Sequence, residues 1–321
     1  MQTAPHFIIS RTDNIGDIVL ALPMATLLKQ RLPTCKISFL ARDYVADVVA
    51  AYADIDAFIS WDALQRLPFS QAAMELRRLR ADTILHVFPN KQIAKLAKTA
   101  RIANRIGSSR RIYHWFTCNK RVNFSRKHSS LHEAQLNLQL LQPSGINTLI
   151  SLPELQQLLR LPKSANINDK VKSLLTEDGC NIVVHPLTNG NTPEWPLEKF
   201  TCLIQQLSVK EFSVIITGTE QERPRLQTLF SACPQIKDAV GQLTLTELMQ
   251  LLSHVHGIVA NATGPLHLGA ALGVNTLGIY PTAKGSDISR WGAIGERVKT
   301  LSAADVNQIT PEQVGAIIDS W

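Results

Sequence analysis

The loop at residues 11–17 carries the first side chains that could do chemistry. Its sequence, Arg-Thr-Asp-Asn-Ile-Gly-Asp, follows an apolar run at 6–10 and precedes an amphipathic stretch. Asp13 lies at the exit of the predicted strand, where a carboxylate can take the proton of an attacking hydroxyl. An aspartate at this position can equally form a turn or cap the next helix. Gly16 permits a tight turn into that helix, and Asp17 fits its first turn, where the helix dipole stabilises a carboxylate.

A second loop, at residues 261–267, has the sequence Asn-Ala-Thr-Gly-Pro-Leu-His. Thr263 offers a hydroxyl, Gly264 exposes backbone N–H groups, and Pro265 suits the first turn of a helix. Such a helix N-terminus is a site for a diphosphate. His267 in the same turn is either a packed histidine or a ligand. The loop contains neither G-x-G-x-x-G nor G-x-x-x-x-G-K-[ST], so a dinucleotide fingerprint and a P-loop are excluded.

Two further loops offer polar side chains that could contact a ligand. Thr188 and Asn189, in the loop at 185–196, can hydrogen-bond backbone or ligand, whereas Trp195 in that loop is more typical of a packing anchor. In the loop at 218–223, Glu222 could hold ribose hydroxyls or could simply cap the helix that follows. The spacing does not choose between these roles.

The elements that must position these loops alternate between strand and helix, which predicts parallel sheets covered on both faces. A region with several prolines near 145–165 separates two doubly wound α/β domains, predicted at 1–155 and 165–321. Ligands bind beyond the carboxyl ends of such strands. Two domains facing a central cleft would place loop 11–17 opposite the other three loops. The predicted strands are 6–10, 36–40, 57–60, 83–88, 181–185, 213–217, 257–261 and 276–280; the predicted helices are 15–31, 44–52, 70–80, 93–104, 133–141, 197–207, 222–232, 245–253, 266–272 and 311–321.

The composition is typical of a soluble globular protein, with 45% hydrophobic and 18% charged residues in a chain of 321. No stretch reaches the roughly 18 uninterrupted apolar residues that span a bilayer, and no signal peptide is evident. The five cysteines are odd in number and form no C-x-x-C pair, which argues against a disulfide framework and a zinc site. We therefore expect a cytoplasmic protein. No cluster of metal ligands is visible in the sequence, and we predict neither a metal nor a cofactor.

Positive charge is concentrated in one part of the chain. Residues 77–127 contain fourteen Lys and Arg against one acid, Asp82, whereas the whole chain carries a net charge of +7. This basic region is either a solvated surface or a face that meets an anionic partner, such as a phosphorylated acceptor, an acidic lipid surface or nucleic acid. Nucleic acid is disfavoured, because no series of base-stacking aromatics accompanies the charges.

Taken together, the loops resemble those of glycosyltransferase family 9, the ADP-heptose:lipopolysaccharide heptosyltransferases and their relatives. Residues 11–17 with Leu22-Pro23 are similar to that family's opening signature, and residues 263–273, Thr-Gly-Pro-Leu-His-Leu-Gly-Ala-Ala-Leu-Gly, are similar to its donor-site signature. The resemblance covers nearly the whole chain in order, and the two signatures are specific in combination. Weaker similarities are Lys91 with Arg105-Ile106-Gly107, His132-Glu133 with Asn137-Leu138 and Leu140-Leu141, Glu194-Trp195-Pro196, and Gly218 with Glu222.

The resemblance implies a GT-B fold and an inverting transfer, in which an acceptor hydroxyl displaces the nucleoside diphosphate in one step. It implies a nucleoside-diphosphate sugar (ADP-heptose or similar) at the C-terminal domain and an anionic glycolipid, such as a lipopolysaccharide core, at the N-terminal domain. Peripheral contact with the inner membrane surface follows from such an acceptor. Carried over by position, Asp13 is the general base and Glu222 contacts the ribose. The remaining donor-binding residues are Thr188, Asn189, Thr263, Gly264, Pro265 and His267, and the acceptor-side residues are Asn14, Gly16, Lys91 and Arg105.

Two positions depart from the family pattern. Ala262 stands where the heptosyltransferases usually carry an acid, and no basic residue lies between Pro186 and Trp195, where they usually have a lysine. Lys284, in a later loop, is one candidate to replace that lysine. The departures leave a second hypothesis open, a catalytically degenerate protein that binds a sugar nucleotide. Retention of Asp13 argues against it, because binding alone needs no base.

Overall fold

The structure is a computed structural model, and it describes residues 4–177, 179–188, 190, 192–210, 212–283 and 287–321. The chain divides into two compact units, Met1–Leu159 and Arg160–Trp321. No helix in the described ranges is both long enough and apolar enough to cross a membrane.

Unit 1 is built on a six-stranded parallel sheet in the order β3-β2-β1-β4-β5-β6. Its central strand β1 is wholly buried, as its apolar sequence predicts. The strands are β1 (His6–Ser10), β2 (Lys36–Ala41), β3 (Ala57–Ser60), β4 (Thr83–His86), β5 (Asn104–Ser108) and β6 (Lys120–Val122).

Helices connect these strands. The helices that follow β3 and β4 pack against one face of the sheet, in a core cluster that includes Ile8, Ile84 and Ile93. Short 3₁₀ turns occur at Asp43–Val45 and Gln139–Ser144. The helices of unit 1 are α1 (Ile15–Val19), α2 (Pro23–Arg31), α3 (Ala46–Ala50), α4 (Trp61–Arg66), α5 (Phe69–Arg78), α6 (Lys91–Thr99), α7 (Ile112–Thr117), α8 (Glu133–Leu138) and α9 (Leu152–Leu158).

Unit 2 repeats the same architecture, with a six-stranded parallel sheet in the order β12-β11-β10-β7-β8-β9. Its core includes Trp195, which stacks edge-on against Phe200. Its strands are β7 (Asn181–His185), β8 (Ser213–Ile216), β9 (Lys237–Asp238), β10 (Gly257–Asn261), β11 (Asn275–Pro281) and β12 (Val298–Ala303); its helices are α10 (Asp169–Leu174), α11 (Leu197–Val209), α12 (Arg223–Ala232), α13 (Leu245–Ser253), α14 (Gly264–Ala271), α15 (Ile288–Trp291) and α16 (Pro311–Ile318), with 3₁₀ turns at Glu220–Glu222 and Val306–Gln308.

Both sheets have a switch point, where the strand order reverses and where ligands bind in open α/β sheets. In unit 1 it lies between β1 and β4, whose last residues Ser10 and His86 are in register. In unit 2 it lies between β7 and β10, where His185 is in register with Ala260. The predicted loops at 11–17, 186–196 and 261–267 therefore all leave the sheets at switch points.

Several predicted elements are wrong in extent. The helix predicted at 15–31 is two helices, because Pro23 lacks an N–H and begins a new one. The helix predicted at 93–104 ends at Thr99, and Asn104 begins β5, a strand whose Arg and Gly content hides it from propensity. Further elements that the sequence patterns did not predict are β6, β9, β12, α4, α7, α9, α10 and α15.

Candidate active site

The carboxylate of Asp13 is held at two points by a buried guanidinium. Arg11 Nε donates to Asp13 Oδ1 at 2.9 Å, and Arg11 Nη2 donates to Asp13 Oδ2 at 3.0 Å. This bidentate pair fixes the plane of the carboxylate. The side chain of Asp13 is 14% exposed, whereas that of Arg11 is 3% exposed. Asp13 therefore presents an oriented carboxylate to solvent from the carboxyl end of β1.

Arg11 is itself fixed by a polar network beneath the loop. It forms ion pairs with Asp17 and with the buried Glu133, at 3.2 Å from Nη1 to Oε1 in the second case. The same Nη1 donates to Asn137 Oδ1 at 2.9 Å. Asn137 in turn donates from Nδ2 to the carbonyl of Leu20 at 3.1 Å, which ties α8 to the end of α1. The loop conformation is thus specified by residues more than a hundred positions apart.

A second arginine closes this network from the basic region. Arg126 donates from Nε to Glu133 Oε1 at 2.9 Å and from Nη2 to Asn137 Oδ1 at 3.0 Å. One member of the basic region is therefore part of the scaffold around Asp13. The sequence similarity had marked Glu133 and Asn137 without giving them a role, and it had not marked Arg126.

The charges in this network perturb one another. Burial disfavours the charged form of Arg11, but the carboxylates of Asp13, Asp17 and Glu133 outweigh it and raise its pKa above the ordinary value. Burial raises the pKa of Asp17 to about 6, against the opposing effect of Arg11 and with support from Asp13 and Glu133. Three carboxylates therefore surround one buried guanidinium and stabilise its positive charge.

Tyr44 is a neighbour of Asp13 that the sequence patterns did not indicate. Its hydroxyl donates to the backbone carbonyl of Asp13 at 2.6 Å, and its ring is partly exposed. Burial of the hydroxyl, aided by the charge of Asp13, raises the pKa of Tyr44 to about 12, so that the hydroxyl stays protonated as a donor. This bond fixes the backbone of Asp13, whereas Arg11 fixes its side chain.

The other predicted acceptor-side residues lie at different places. Asn14 is the exposed N-cap of α1, and Gly16 is buried inside that helix. Lys91 is exposed at the first position of α6, which follows β4 and so shares the carboxyl edge with Asp13. Arg105 lies near the start of β5, where its guanidinium donates to the carbonyl of Thr117 at 2.8 Å and to that of Ile102. These bonds give Arg105 a structural role in unit 1.

In unit 2 one amide joins the two loops of the switch point. Asn261 accepts from the backbone N–H of Trp195 at 3.0 Å and donates to the carbonyl of Pro186 at 2.6 Å. The buried indole of Trp195 donates to the carbonyl of Ile309 at 2.9 Å. Trp195 is therefore a packing anchor, as its sequence context predicts, and it holds loop 186–196 beside the end of β10.

The predicted diphosphate site begins at Thr263, the N-cap of α14. Thr263 Oγ1 is buried and has no hydrogen-bond partner within the described ranges. Gly264 is the first residue of α14, followed by the buried Pro265, and the buried His267 lies in the same turn. The eight-residue helix thus starts with a hydroxyl and backbone N–H groups at the switch point, an arrangement that suits an anion.

Thr188 is hydrogen-bonded to Glu194, which lies in the same loop. Glu194 Oε1 accepts from Thr188 N at 2.7 Å and from Thr188 Oγ1 at 2.9 Å. Glu194 also forms an ion pair with Arg225, which α12 brings to the loop and which the sequence patterns did not indicate. Burial alone would raise the pKa of Glu194, but the bonds from Arg225 and Thr188 lower it. Asn189 and Lys284 lie outside the described residues.

Glu222 closes a capping box. Its Oε2 accepts from the backbone N–H of Thr219 at 2.6 Å and from the hydroxyl of Thr219 at 3.0 Å. The same carboxylate lies close enough to the buried His185 to oppose the lowering of that imidazole's pKa by burial. The capping interpretation of Glu222 is therefore realised, and contact with a ribose is an additional role that remains a prediction.

In the part of unit 1 that the structure describes, buried polar atoms without a partner occur at the carboxyl ends of β1 and β4 and on α7. Ser10 Oγ, both ring nitrogens of His86 and Nε2 of His114 lack hydrogen-bond partners among the described residues. The two imidazole rings lie 5.6 Å apart, and His114 Nδ1 bonds the carbonyl of Ser108 at 2.9 Å. Burial, with the neighbouring His114 and the charge of Arg105, lowers the pKa of His86 to about 3, so this imidazole is neutral at physiological pH.

Comparison with known proteins gives a consistent result. The profile of the family described as glycosyltransferase family 9 (heptosyltransferase) matches residues 71–315. Lipopolysaccharide heptosyltransferase 3 of Escherichia coli is 21% identical over 286 residues, 83% of this chain and 80% of that protein. Among solved structures, a family 9 glycosyl transferase of Veillonella parvula is 17% identical, with a TM-score of 0.81 over 100% of this chain and 98% of that one. The E. coli ADP-heptose lipopolysaccharide heptosyltransferase II is also 17% identical, with a TM-score of 0.79 over 98% of each chain.

Two doubly wound units with these neighbours define the GT-B architecture, and the predicted fold class is confirmed. The chain belongs to glycosyltransferase family 9, as the resemblance of its two signatures predicted. It is therefore a heptosyltransferase-like member of a family of transferases.

Proposed function

We propose that this protein transfers a sugar, heptose or a related one, from a nucleoside-diphosphate sugar to a hydroxyl of a lipopolysaccharide core or other envelope glycan. Asp13 acts as the general base and the anomeric configuration is inverted. The observation that carries the proposal is the Asp13 carboxylate at the switch point of unit 1, partly exposed and held through both oxygens by Arg11.

The reaction is a single displacement. The acceptor oxygen forms a bond to the anomeric carbon while the bond from that carbon to the diphosphate oxygen breaks, and the hydroxyl proton passes to Asp13. The nucleoside diphosphate leaves with the bonding electron pair. Because attack and departure occur on opposite faces of the carbon, one such step inverts its configuration.

The local geometry suits Asp13 to this role. The two bonds from Arg11 remove rotational freedom from the carboxylate, so less ordering is needed when the acceptor binds. Each oxygen keeps a further lone pair for the acceptor hydroxyl.

Unit 2 supplies the donor side in this proposal. The N-terminus of α14 and the buried hydroxyl of Thr263 favour a diphosphate, and ADP-heptose is the donor that the heptosyltransferase relatives suggest. The E. coli neighbour is named for ADP-heptose, which supports a nucleotide sugar as the partner here. No basic residue lies between Pro186 and Trp195, which is a further reason to test other nucleotides.

An anionic glycolipid acceptor fits the charge distribution of unit 1. Lys91 lies at the edge of the sheet that carries Asp13 and is exposed, so it can meet a phosphate on the acceptor. Such an acceptor places the enzyme in the cytoplasm at the inner face of the membrane.

The central experiment is Asp13→Asn, assayed with a panel of nucleoside-diphosphate sugars. We expect transfer to fall by about 10²–10⁴-fold, the usual contribution of a general base, with nucleoside-diphosphate affinity unchanged. Asp43→Asn, at an exposed aspartate of the same unit, is the matched control and should retain transfer. Thermal unfolding of both variants shows whether they fold.

Three outcomes would overturn the proposal or part of it. Full transfer by Asp13→Asn would exclude the carboxylate as the base. Retention of configuration in the product, measured by NMR of the anomeric proton, would exclude the single displacement. Nucleotide binding without transfer from any sugar nucleotide would instead favour the degenerate binding protein.

A further inference from the structure

Helix α7 carries an apolar face that points into solvent. Ile112, Trp115 and Phe116 are 81%, 58% and 72% exposed, and their spacing of i, i+3 and i+4 places them on one face of the helix. The opposite face, with His114 and Thr117, is buried against the sheet. Ordinary surface helices have the reverse distribution. We call Ile112, Trp115 and Phe116 the α7 face.

The α7 face is held in its exposed position by specific contacts. Trp115 Nε1 donates to the carbonyl of Ser109 at 3.0 Å, and the guanidinium of Arg121 lies 4.4 Å from the centre of the indole ring. Lys98 Nζ donates to the carbonyl of Phe116 at 2.9 Å, which joins α6 to the end of α7. These contacts hold the α7 face in place, with Arg121 and Lys98 beside it.

Exposed cations border the α7 face. Lys91, Lys95 and Lys98 follow one another along the outer side of α6, which packs against α7. None of the bordering cations forms an ion pair with an acid in the part of the chain that the structure describes, so their charge is available to a partner. The bordering cations are Lys95 and Lys98 on α6, Arg110 and Arg111 directly before α7, and Arg121 beside Trp115.

We infer that this surface docks on an anionic phospholipid bilayer. The tryptophan and the other apolar side chains of the α7 face enter the headgroup region of the bilayer. The Lys and Arg side chains beside them are attracted to anionic lipids. Three apolar side chains on a six-residue helix bind only weakly by themselves, and stable association needs a second signal, which the cations supply. The inference does not depend on the reaction proposed above, because phospholipid alone is the partner.

The test is sedimentation of the full chain with sucrose-loaded vesicles. Vesicles of phosphatidylcholine and phosphatidylglycerol in equal parts should bind the protein at low ionic strength, and binding should fall steeply with added salt. Vesicles of phosphatidylcholine alone should bind it far less. The double variant Trp115→Ala/Phe116→Ala should weaken binding by about tenfold or more, and Lys95→Gln and Arg110→Gln by about fivefold each.

Matched controls separate this surface from general stickiness. Leu149→Ala removes an apolar side chain of unit 1 that is 81% exposed, and Lys163→Gln removes an exposed cation of unit 2; neither should change binding. Equal binding of the wild type to neutral and anionic vesicles, or equal binding by Trp115→Ala/Phe116→Ala, would overturn the inference. So would self-association of the wild type that this double variant abolishes while vesicles bind neither protein. Cooperative thermal unfolding of the double variant at the temperature of the wild type confirms that it is folded.

Discussion

At the scale of single residues, Arg11 determines what Asp13 can do. A buried arginine is expensive unless its charge is matched and its donors are used, and here three carboxylates and an amide use them. The sequence could identify Asp13 as a candidate, because strand exits at switch points bind ligands. It could not show Glu133 or Asn137 beside Arg11, since no local pattern connects positions so far apart.

For Glu222 the sequence identified the residue but left its role open. Its spacing from Thr219 was compatible with both a ribose contact and a cap, and the capping bonds now account for one carboxylate oxygen. Spacing alone cannot distinguish the roles because a cap and a ligand contact use the same type of side chain at the same end of a strand.

The buried imidazole of His86 makes stability depend on pH. Its pKa is lowered to about 3, so below pH 6.5 the unfolded chain binds a proton that the folded chain does not. Stability present above pH 6.5 is therefore lost as the pH falls, by about 1.4 kcal/mol per pH unit for this one group. We expect the free energy of unfolding of His86→Phe, measured with urea, to fall less steeply than that of the wild type between pH 6 and pH 5. The difference in slope should be about 1.4 kcal/mol per pH unit.

The difference between the wild type and His86→Phe isolates the contribution of His86 to the pH dependence of stability from that of the other groups. Asp17, whose pKa is raised, acts in the opposite direction in the same window, but it is present in both proteins. His128→Gln, at an exposed histidine, should leave the dependence unchanged. An unaltered slope in His86→Phe would mean that the imidazole is protonated in the folded chain.

At the scale of elements, the sequence predicted those that repeat a strong pattern. The strands at 57–60, 181–185 and 257–261 and the helix at 245–253 begin and end where expected. The strand at 104–108 was missed because it has a single large apolar residue, Ile106, and exists through pairing with both neighbours. Tertiary contact, not propensity, decides such elements.

Gly269 allows helix α14 to pack closely against its sheet. A Cβ on Gly269 would lie 2.6 Å from Ile258 Cγ2 and 3.2 Å from Thr276 Oγ1. We therefore expect Gly269→Ala to displace α14 and to destabilise the protein by about 1–3 kcal/mol, as overpacking does. Since Thr263 and Gly264 begin this helix, nucleotide affinity should fall as well. Urea unfolding and a nucleotide titration measure the two effects.

Gly315 provides the control, because it is also buried within an eight-residue helix. A Cβ there would lie no closer than 3.5 Å to Gln206 Oε1, an ordinary contact. Gly315→Ala should stabilise the protein by about 0.5–1 kcal/mol, the usual gain in a helix. If both variants had the same effect, close packing of α14 would not be the reason for Gly269.

At the scale of the whole molecule, one strand order is used twice. Read outward from the switch point, both sheets have the same connectivity, so each unit has its own carboxyl edge and its own core. The sequence predicted this duplication from the alternation of strands and helices. It did not predict the surface around α7, because a six-residue helix with three aromatics and a buried histidine has the composition of core rather than of surface.

The duplication predicts where nucleotide should act. A nucleoside diphosphate at about 100 times its dissociation constant stabilises the state that binds it by about 2.7 kcal/mol. If the donor binds at α14, amides of β10 and α14 that exchange by opening of unit 2 should slow by about 100-fold, whereas amides of β1 and β4 that exchange by opening of unit 1 should not. Hydrogen exchange followed by mass spectrometry resolves the two sets, with ADP first and other nucleoside diphosphates after it. Asp13→Asn should show the same protection, since the proposed role of its side chain is in acceptor activation and not in nucleotide binding. The corresponding nucleoside without phosphate should protect far less, because the N-terminus of α14 recognises negative charge. Protection confined to unit 1 would assign the nucleotide to the wrong half of the chain and would reverse the proposed roles of the two units.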